Sequence, residues 1–152
     1  MIVRLIFFLA INFAALGIGA YFTGPGVASD WYQNLNQAPW TPPGWVFGAA
    51  WTTIMILFSI YMALLWVKVE DKSTLLALYF IQLILNIAWN PVFFHLKLVG
   101  LGILVISSLL LCVHLILFKY WSQLELVSLL ILPYGVWLAI ATSLNMYIWV
   151  MN

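Results

Sequence analysis

Residues 74–94, TLLALYFIQLILNIAWNPVFF, decide the fold of this chain. The stretch carries no charged side chain, and about 20 apolar helical residues are enough to cross the hydrocarbon core of a bilayer. Its apolar residues run continuously and do not alternate with polar ones, which favours a helix over a strand of a membrane barrel. We therefore expect this segment to cross a membrane as one helix.

Four further stretches have the same character and length. They are residues 2–22, 44–67, 98–118 and 126–149. Only 6% of all residues are charged, whereas a soluble domain carries about a quarter. Short connections make helices two to five antiparallel neighbours in sequence order. The sequence therefore predicts an all-α membrane protein, a single domain of residues 1–152 built as a bundle of five transmembrane helices.

The connection between the first and second helices, residues 23–43, is longer and rich in glycine, proline and aromatic residues. Connections of this length in compact proteins are usually functional or disordered. Aromatic residues such as Trp31, Tyr32 and Trp40 favour a folded cap over one end of the bundle. Trp51 lies two turns into the second helix, deeper than the aromatic belt at a membrane surface, and needs another explanation.

Lysine and arginine residues are distributed unevenly between the two ends of the bundle. Arg4, Lys68, Lys72 and Lys119 fall on one side, and Lys97 falls alone on the other. Short cytoplasmic loops carry an excess of basic residues, so this asymmetry predicts that the N-terminus lies inside.

The composition also excludes several kinds of partner and chemistry. A formal net charge of +1 provides no basic surface for nucleic acid. The single cysteine, Cys112, allows neither an intrachain disulfide nor a cysteine-based metal cluster. We expect no metal site, and the sequence contains no conventional catalytic motif. No carboxylate lies within a span, which argues against an ion-coupled pump or transporter.

The third helix carries amide side chains along one face. Gln82, Asn86 and Asn90 are spaced four residues apart, and Trp89 and Phe93 flank the same face. Amides are unfavourable against lipid, so this face should point into the bundle. The pattern leaves two interpretations open: hydrogen bonds between helices, or a ligand site with polar groups on an aromatic wall.

The fifth helix repeats this pattern after Pro133, which we expect to kink it. Trp137, Ala141 and Asn145 share one face, and Leu144 lies beside them. The small Ala141 makes either a notch for a flat ligand or a point of close helix packing.

Three motifs follow one another along the chain. They are residues 40–43 (WTPP) followed by Trp51, residues 85–91 (LNIAWNP) followed by Phe93 and Phe94, and Pro133 and Tyr134 followed by Trp137, Ala141, Leu144 and Asn145. In this order and spacing, over about residues 31–149, the chain resembles the translocator protein family. Its members are also called tryptophan-rich sensory proteins or peripheral-type benzodiazepine receptors.

The resemblance implies a five-helix bundle that forms homodimers and holds porphyrins or benzodiazepine- or isoquinoline-like molecules under the long loop. It places Trp51, Asn86, Trp89, Trp137, Ala141 and Leu144 around that pocket. Together with the residues singled out above, the expected ligand-binding set is Trp31, Tyr32, Trp40, Trp51, Gln82, Asn86, Trp89, Asn90, Phe93, Trp137, Ala141, Leu144 and Asn145.

The expected function is that of a membrane receptor or sensor for porphyrins, with protoporphyrin as a ligand and no obligatory cofactor, in tetrapyrrole handling or a stress response. A porphyrin is flat and polarisable and stacks on indole rings. One alternative is an enzyme that degrades porphyrin under light, a reaction that the resemblance assigns to Trp51 and Trp137. A passive carrier of porphyrins or other lipophiles and a scaffold without a ligand are further alternatives.

The end of the fifth helix bears on a second possible ligand. Sterol-binding members of the family carry a basic residue after a tyrosine in this region, whereas residues 147–152, YIWVMN, contain none. This difference weakens the case for cholesterol as a partner, beyond ordinary contact with membrane lipid. It favours a bacterial-type member located in a bacterial cell membrane.

Overall fold

The computed structural model describes residues 1–152, and its regular structure is entirely helical. The long helices are α1 (Ile2–Ala28), α3 (Gly44–Lys68), α4 (Lys72–Asn90), α5 (Val99–Lys119) and α7 (Leu132–Met151). The short elements are α2 (Asp30–Gln33), α6 (Trp121–Leu124), a π-helical turn (Pro91–His95) that extends α4, and a 3-10 segment (Glu125–Ile131) that precedes α7.

Five helical segments are long and apolar enough to cross a membrane, and they correspond to the five predicted spans. Their outer faces are apolar as well as their inner ones. On α5, for example, Leu104, Leu111 and Leu115 are each about three-fifths exposed or more. Such large exposed apolar surfaces require lipid as the solvent. The prediction of an all-α, multi-pass integral membrane protein is therefore confirmed.

The five spans form a closed ring rather than a layer. α1 packs between α3 and α4, α4 packs on α5, and α5 packs on α7. The ring closes where α7 and the 3-10 segment contact α3. Inside it, the fully buried rings of Phe58, Tyr79 and Tyr134 meet, with the Phe58 and Tyr134 centroids 5.4 Å apart. These aromatic rings fill the middle of the bundle.

A buried hydrogen-bond network ties α1 to its two neighbours. Asn12 Nδ2 donates to Ser59 Oγ of α3 at 2.8 Å, and the Tyr79 hydroxyl of α4 donates to Asn12 Oδ1 at 2.9 Å. Ser59 Oγ in turn donates to the Met55 carbonyl oxygen at 2.6 Å. All three side chains are buried. Buried polar groups need hydrogen-bond partners, and these three find theirs inside the helix bundle.

The predicted capping loop, residues 23–43, is much shorter in the structure. α1 continues through Gly24, Pro25 and Gly26 to Ala28, and α2 follows directly. Close packing explains the difference, because Gly26 lies against the Phe94 side chain with no room for a Cβ atom. A helix also pairs its own backbone groups near the apolar bilayer, which favours it over an open loop. The non-helical connection is confined to residues 34–43.

The fifth span changes from a 3-10 segment to an α-helix immediately before Pro133. Pro133 lies in the first turn of α7, where its missing N–H leaves no hydrogen bond unmade. The change of geometry comes before it, in the 3-10 segment, where Glu125 has a positive φ of 48°.

We predict that Asn12→Ala lowers the free energy of unfolding by about 1–2 kcal/mol, because it leaves the buried Tyr79 hydroxyl without an acceptor. Unfolding in mixed detergent micelles, followed by far-UV circular dichroism, measures the change. Val3→Ala, at a position 80% exposed, is the control and should have little effect. Equal stabilities of the two variants would show that the network contributes nothing.

Candidate functional site

A cavity of about 700 Å³ occupies the half of the bundle next to residues 30–43. Its walls come from α1, α3 and α4, and its roof comes from α2 and the connection that follows. Of the predicted binding residues, five line it: Tyr32, Trp51, Asn86, Trp89 and Asn90. The volume lies within the usual range for sites that hold drug-sized molecules.

The amide face of α4 forms one wall and is fixed by hydrogen bonds. Asn86 Nδ2 donates to the Tyr134 hydroxyl at 2.6 Å, and that hydroxyl donates to Gln82 Oε1 at 3.0 Å. Gln82 therefore lies one turn below the cavity and is already paired. Asn90 Oδ1 accepts a hydrogen bond from the Thr23 hydroxyl of α1 at 2.7 Å. These hydrogen bonds between helices agree with the first interpretation of this face, and Asn86 and Asn90 also line the cavity.

The aromatic part of the wall contains two indoles, each packed against other aromatic rings. Trp51 packs edge-on against Tyr134, with ring centroids 5.9 Å apart. Trp89 stacks on Phe93 at 5.8 Å and meets Phe94 edge-on at the same distance. The Trp89 Nε1 is buried and has no hydrogen-bond acceptor. The wall thus contains two indole rings, and the N–H of one of them is buried in the packing and unpaired.

The contribution of α1 was missed by the sequence analysis. Ala15, Leu16, Gly19, Ala20 and Thr23 all line the cavity. A Cβ atom on Gly19 would lie 2.8 Å from Asn90 Nδ2, so this glycine lets α4 approach. The signal available was the run of small residues AALGIGA at positions 14–20, which carries no chemical functionality of its own.

The roof is fastened to α7 on its outer side. The Asn36 backbone N–H donates to Asn152 Oδ1 at 2.9 Å, and Asn152 Nδ2 donates to the Asn36 carbonyl oxygen at 3.3 Å. Trp40 Nε1 donates to Ser143 Oγ at 3.1 Å, and the Trp40 ring packs edge-on against Tyr147. Trp40 therefore helps to attach the roof to α7 and does not line the cavity.

The inner side of the roof is polar but uncharged. Tyr32, Gln33, Gln37 and Thr41 line the cavity from above. Burial raises the pKa of the Tyr32 phenol above its ordinary value, so this group stays neutral at physiological pH. No Asp, Glu, Lys or Arg is among the lining residues, and a ligand there meets only neutral hydrogen-bonding groups.

The predicted residues of the fifth helix lie outside the cavity lining. Trp137, Ala141, Leu144 and Asn145 are all buried in α7. The Phe47 ring lines the cavity and packs edge-on against Trp137 at 5.3 Å, so it stands between Trp137 and the cavity. Trp137 Nε1 and Asn145 Nδ2 are buried without hydrogen-bond partners.

Two further predicted residues, Trp31 and Phe93, pack against each other at 5.8 Å behind the α4 wall. Neither lines the cavity.

The cavity is open on one side. Among its exposed lining residues, Ala20 and Gly24 belong to α1, and Gly44, Gly48 and Thr52 belong to α3. A hydrogen bond joins α1 and α3 at Asn12 and Ser59, on the side of these residues away from the roof. The exposed residues indicate an opening between them, on a side of the bundle that faces the bilayer.

A closed ring of five spans, with a large uncharged cavity at one end, defines a multi-pass helical membrane protein. The family model described as TspO/MBR family matches residues 7–150. The chain belongs to this family.

Relatives from bacteria and animals carry names that agree with this membership. Protein CrtK of Rhodobacter capsulatus is 36% identical over 137 residues, which cover 88% of this chain and 83% of the relative. The tryptophan-rich sensory protein of Cereibacter sphaeroides is 35% identical over 76% of this chain and 73% of its own. The human translocator protein is 33% identical over 82% of this chain and 76% of its own.

The contact of Gly26 with Phe94 generates a stability prediction. A Cβ atom at Gly26 would lie 2.4 Å from Phe94 Cβ, which no side-chain rotation relieves. We expect Gly26→Ala to lower the midpoint of thermal unfolding in detergent. Gly17→Ala, in the same helix with nothing within 4 Å, should raise it slightly, because alanine favours helix by up to about 1 kcal/mol. A rise of the thermal-unfolding midpoint in both variants would contradict the close contact between Gly26 and Phe94.

Proposed function

We propose that this protein is a membrane receptor or sensor that binds porphyrins, with protoporphyrin as the representative ligand, in the cavity beneath residues 30–43. The observation that carries the proposal is the joint presence of Trp51, Trp89, Asn86 and Asn90 on the walls of one cavity. Indole faces favour flat polarisable rings, and amides fix the orientation of such a ring. The family membership supports a small lipophilic ligand.

The distribution of polarity suits an amphipathic macrocycle. The ring would stack between the indoles, in the part of the cavity that α1, α3 and α4 enclose. Its carboxylates would lie at the roof, where Gln33, Gln37 and Thr41 offer neutral hydrogen-bonding groups close to the membrane surface. Benzodiazepine- or isoquinoline-like molecules share the flat aromatic part and use the same walls.

The fifth-helix residues enter this proposal through Phe47. A rotation of the Phe47 ring away from Trp137 would join the cavity to the surface formed by Trp137 and Ala141. The unpaired N–H groups of Trp137 and Asn145 would then meet the ligand. With Phe47 rotated in this way, all residues that the family resemblance places around the pocket would contact one ligand molecule.

Degradation of porphyrin under light is the second candidate, and the position of Trp51 in the cavity wall favours it. An indole in contact with an excited porphyrin is an oxidisable donor. Passive carriage of porphyrins stays an alternative, and so does a scaffold role. A homodimer, a bacterial cell membrane and an N-terminus on the inner side stay predictions.

Titration of the purified protein with protoporphyrin in the dark tests binding. We expect saturable quenching of tryptophan fluorescence. Gly48→Leu should weaken the affinity by about tenfold or more, because the new side chain fills a lining position where nothing lies within 4 Å. Gly17→Leu, at an equally open position of α1 outside the lining, should bind like the wild type. Equal binding by both variants would place the site elsewhere.

Illumination of the same samples separates binding from turnover. If the protein degrades porphyrin, a new absorption spectrum should form with the wild type and be lost in Trp51→Phe. Trp45→Phe, at a position 75% exposed and outside the lining, should retain the product. Bleaching at the same rate by all three proteins would reject the enzymatic role and leave the binding result intact.

A further inference from the structure

A second cavity of about 640 Å³ lies on the outer surface of the bundle, at the same end as the roof. It is formed where α2, the turn between α4 and α5, and the end of α7 meet. We call it the lysine groove, and its principal residues are Trp31, Leu35, Lys97, Leu101, Ile148 and Trp149. None of its lining residues belongs to the lining of the first cavity.

The lysine groove combines apolar walls with one positive charge. Lys97 is its only charged lining residue, and the Lys97 ammonium lies 5.8 Å from the centre of the Trp31 ring. No Asp or Glu side chain lines the groove, and the Asn152 side chain, which also lines it, is paired with the Asn36 backbone. α5 also begins here, at Val99, and the amino end of a helix carries partial positive charge. The groove is therefore complementary to an anion that carries an apolar tail.

The backbone of the α4–α5 turn holds Lys97 in place. Lys97 has a φ of 57°, a left-handed conformation that is uncommon for residues other than glycine. Hydrogen bonds fix the turn on both sides, since the Leu96 N–H donates to the Pro91 carbonyl oxygen and the Leu98 N–H donates to that of Val92. Constrained backbone of this kind is typical of functional positions.

The groove also lies at the depth where lipid headgroups are found. It adjoins the first turn of one span, α5, and the last turn of another, α7. Trp149 is 61% exposed, and Leu98 and Leu101 are each nearly half exposed, so the apolar walls open toward the bilayer. Tryptophan and lysine side chains at the ends of spans are the usual neighbours of headgroups.

We propose that the lysine groove binds one anionic phospholipid of the surrounding leaflet. Its phosphate contacts the Lys97 ammonium at the rim, and an acyl chain lies between Leu101 and Trp149. This site is independent of the porphyrin cavity, so either can fail while the other holds.

Native mass spectrometry of the protein released from nanodiscs tests the proposal. The nanodiscs contain equal amounts of phosphatidylglycerol and phosphatidylcholine, and the ratio of retained lipids gives the preference. We expect the wild type to retain phosphatidylglycerol preferentially. Lys97→Gln should reduce the preference by about fivefold, the effect of one lysine near a membrane surface.

Lys119→Gln is the matched control, because Lys119 also lies over an aromatic ring, that of Tyr120, at the opposite end of the bundle. It should keep the wild-type preference. Trp149→Ala removes a wall of the groove and should reduce the retention of both lipids. The proposal is overturned if Lys97→Gln keeps the wild-type preference, or if Lys119→Gln loses it to the same extent.

Discussion

The Tyr134 hydroxyl makes the pair of hydrogen bonds on which the interior of the bundle depends. It accepts a hydrogen bond from Asn86 and donates one to Gln82, so one oxygen atom of α7 pairs with two amides of α4. All three side chains are buried. Below it, the aromatic ring of Tyr134 packs against Phe58 in the filled centre of the helix bundle. Above it, the same ring supports Trp51 at the wall of the cavity. This tyrosine therefore marks the boundary between a packed half that provides stability and an open half that provides a site.

Apolar length and amide spacing made the five spans and the inward face of α4 predictable from the sequence, because lipid permits few alternatives for such segments. The extent of α1 could not be predicted in the same way. Gly24, Pro25 and Gly26 are local signals for a loop, but the fit of Gly26 against Phe94 is a long-range contact that outweighs them. The wall contributed by α1 was missed for a related reason. Small residues define a cavity by the space that they leave, and a sequence pattern gives no direct measure of that space.

The roof combines strong attachment on one side with an open interior on the other. Its outer contacts, Asn36 with Asn152 and Trp40 with Ser143, bind it to α7. α1 and α3 have no comparable polar contact above Asn12 and Ser59, and their exposed glycines stand at the opening. Movement of these two helices relative to each other disrupts fewer hydrogen bonds than lifting the roof does. If the proposed ligand enters from the bilayer between α1 and α3, it therefore breaks fewer hydrogen bonds than it would on entering through the roof.

Three unpaired donors near the cavity bear on the ligand binding proposed above. Trp89 Nε1, Trp137 Nε1 and Asn145 Nδ2 are all buried without an acceptor, although other interior amides of the same bundle are paired. A buried donor left unpaired costs about 1–3 kcal/mol, so these three positions weaken the packed state of the site. Any guest that brings acceptors and replaces the Phe47 ring against Trp137 removes part of this cost as it binds. Under the proposal above, the residues that the family resemblance places around one pocket, which include Trp51 and Asn86 at the cavity wall and Trp137 behind Phe47, would form a single site around that guest.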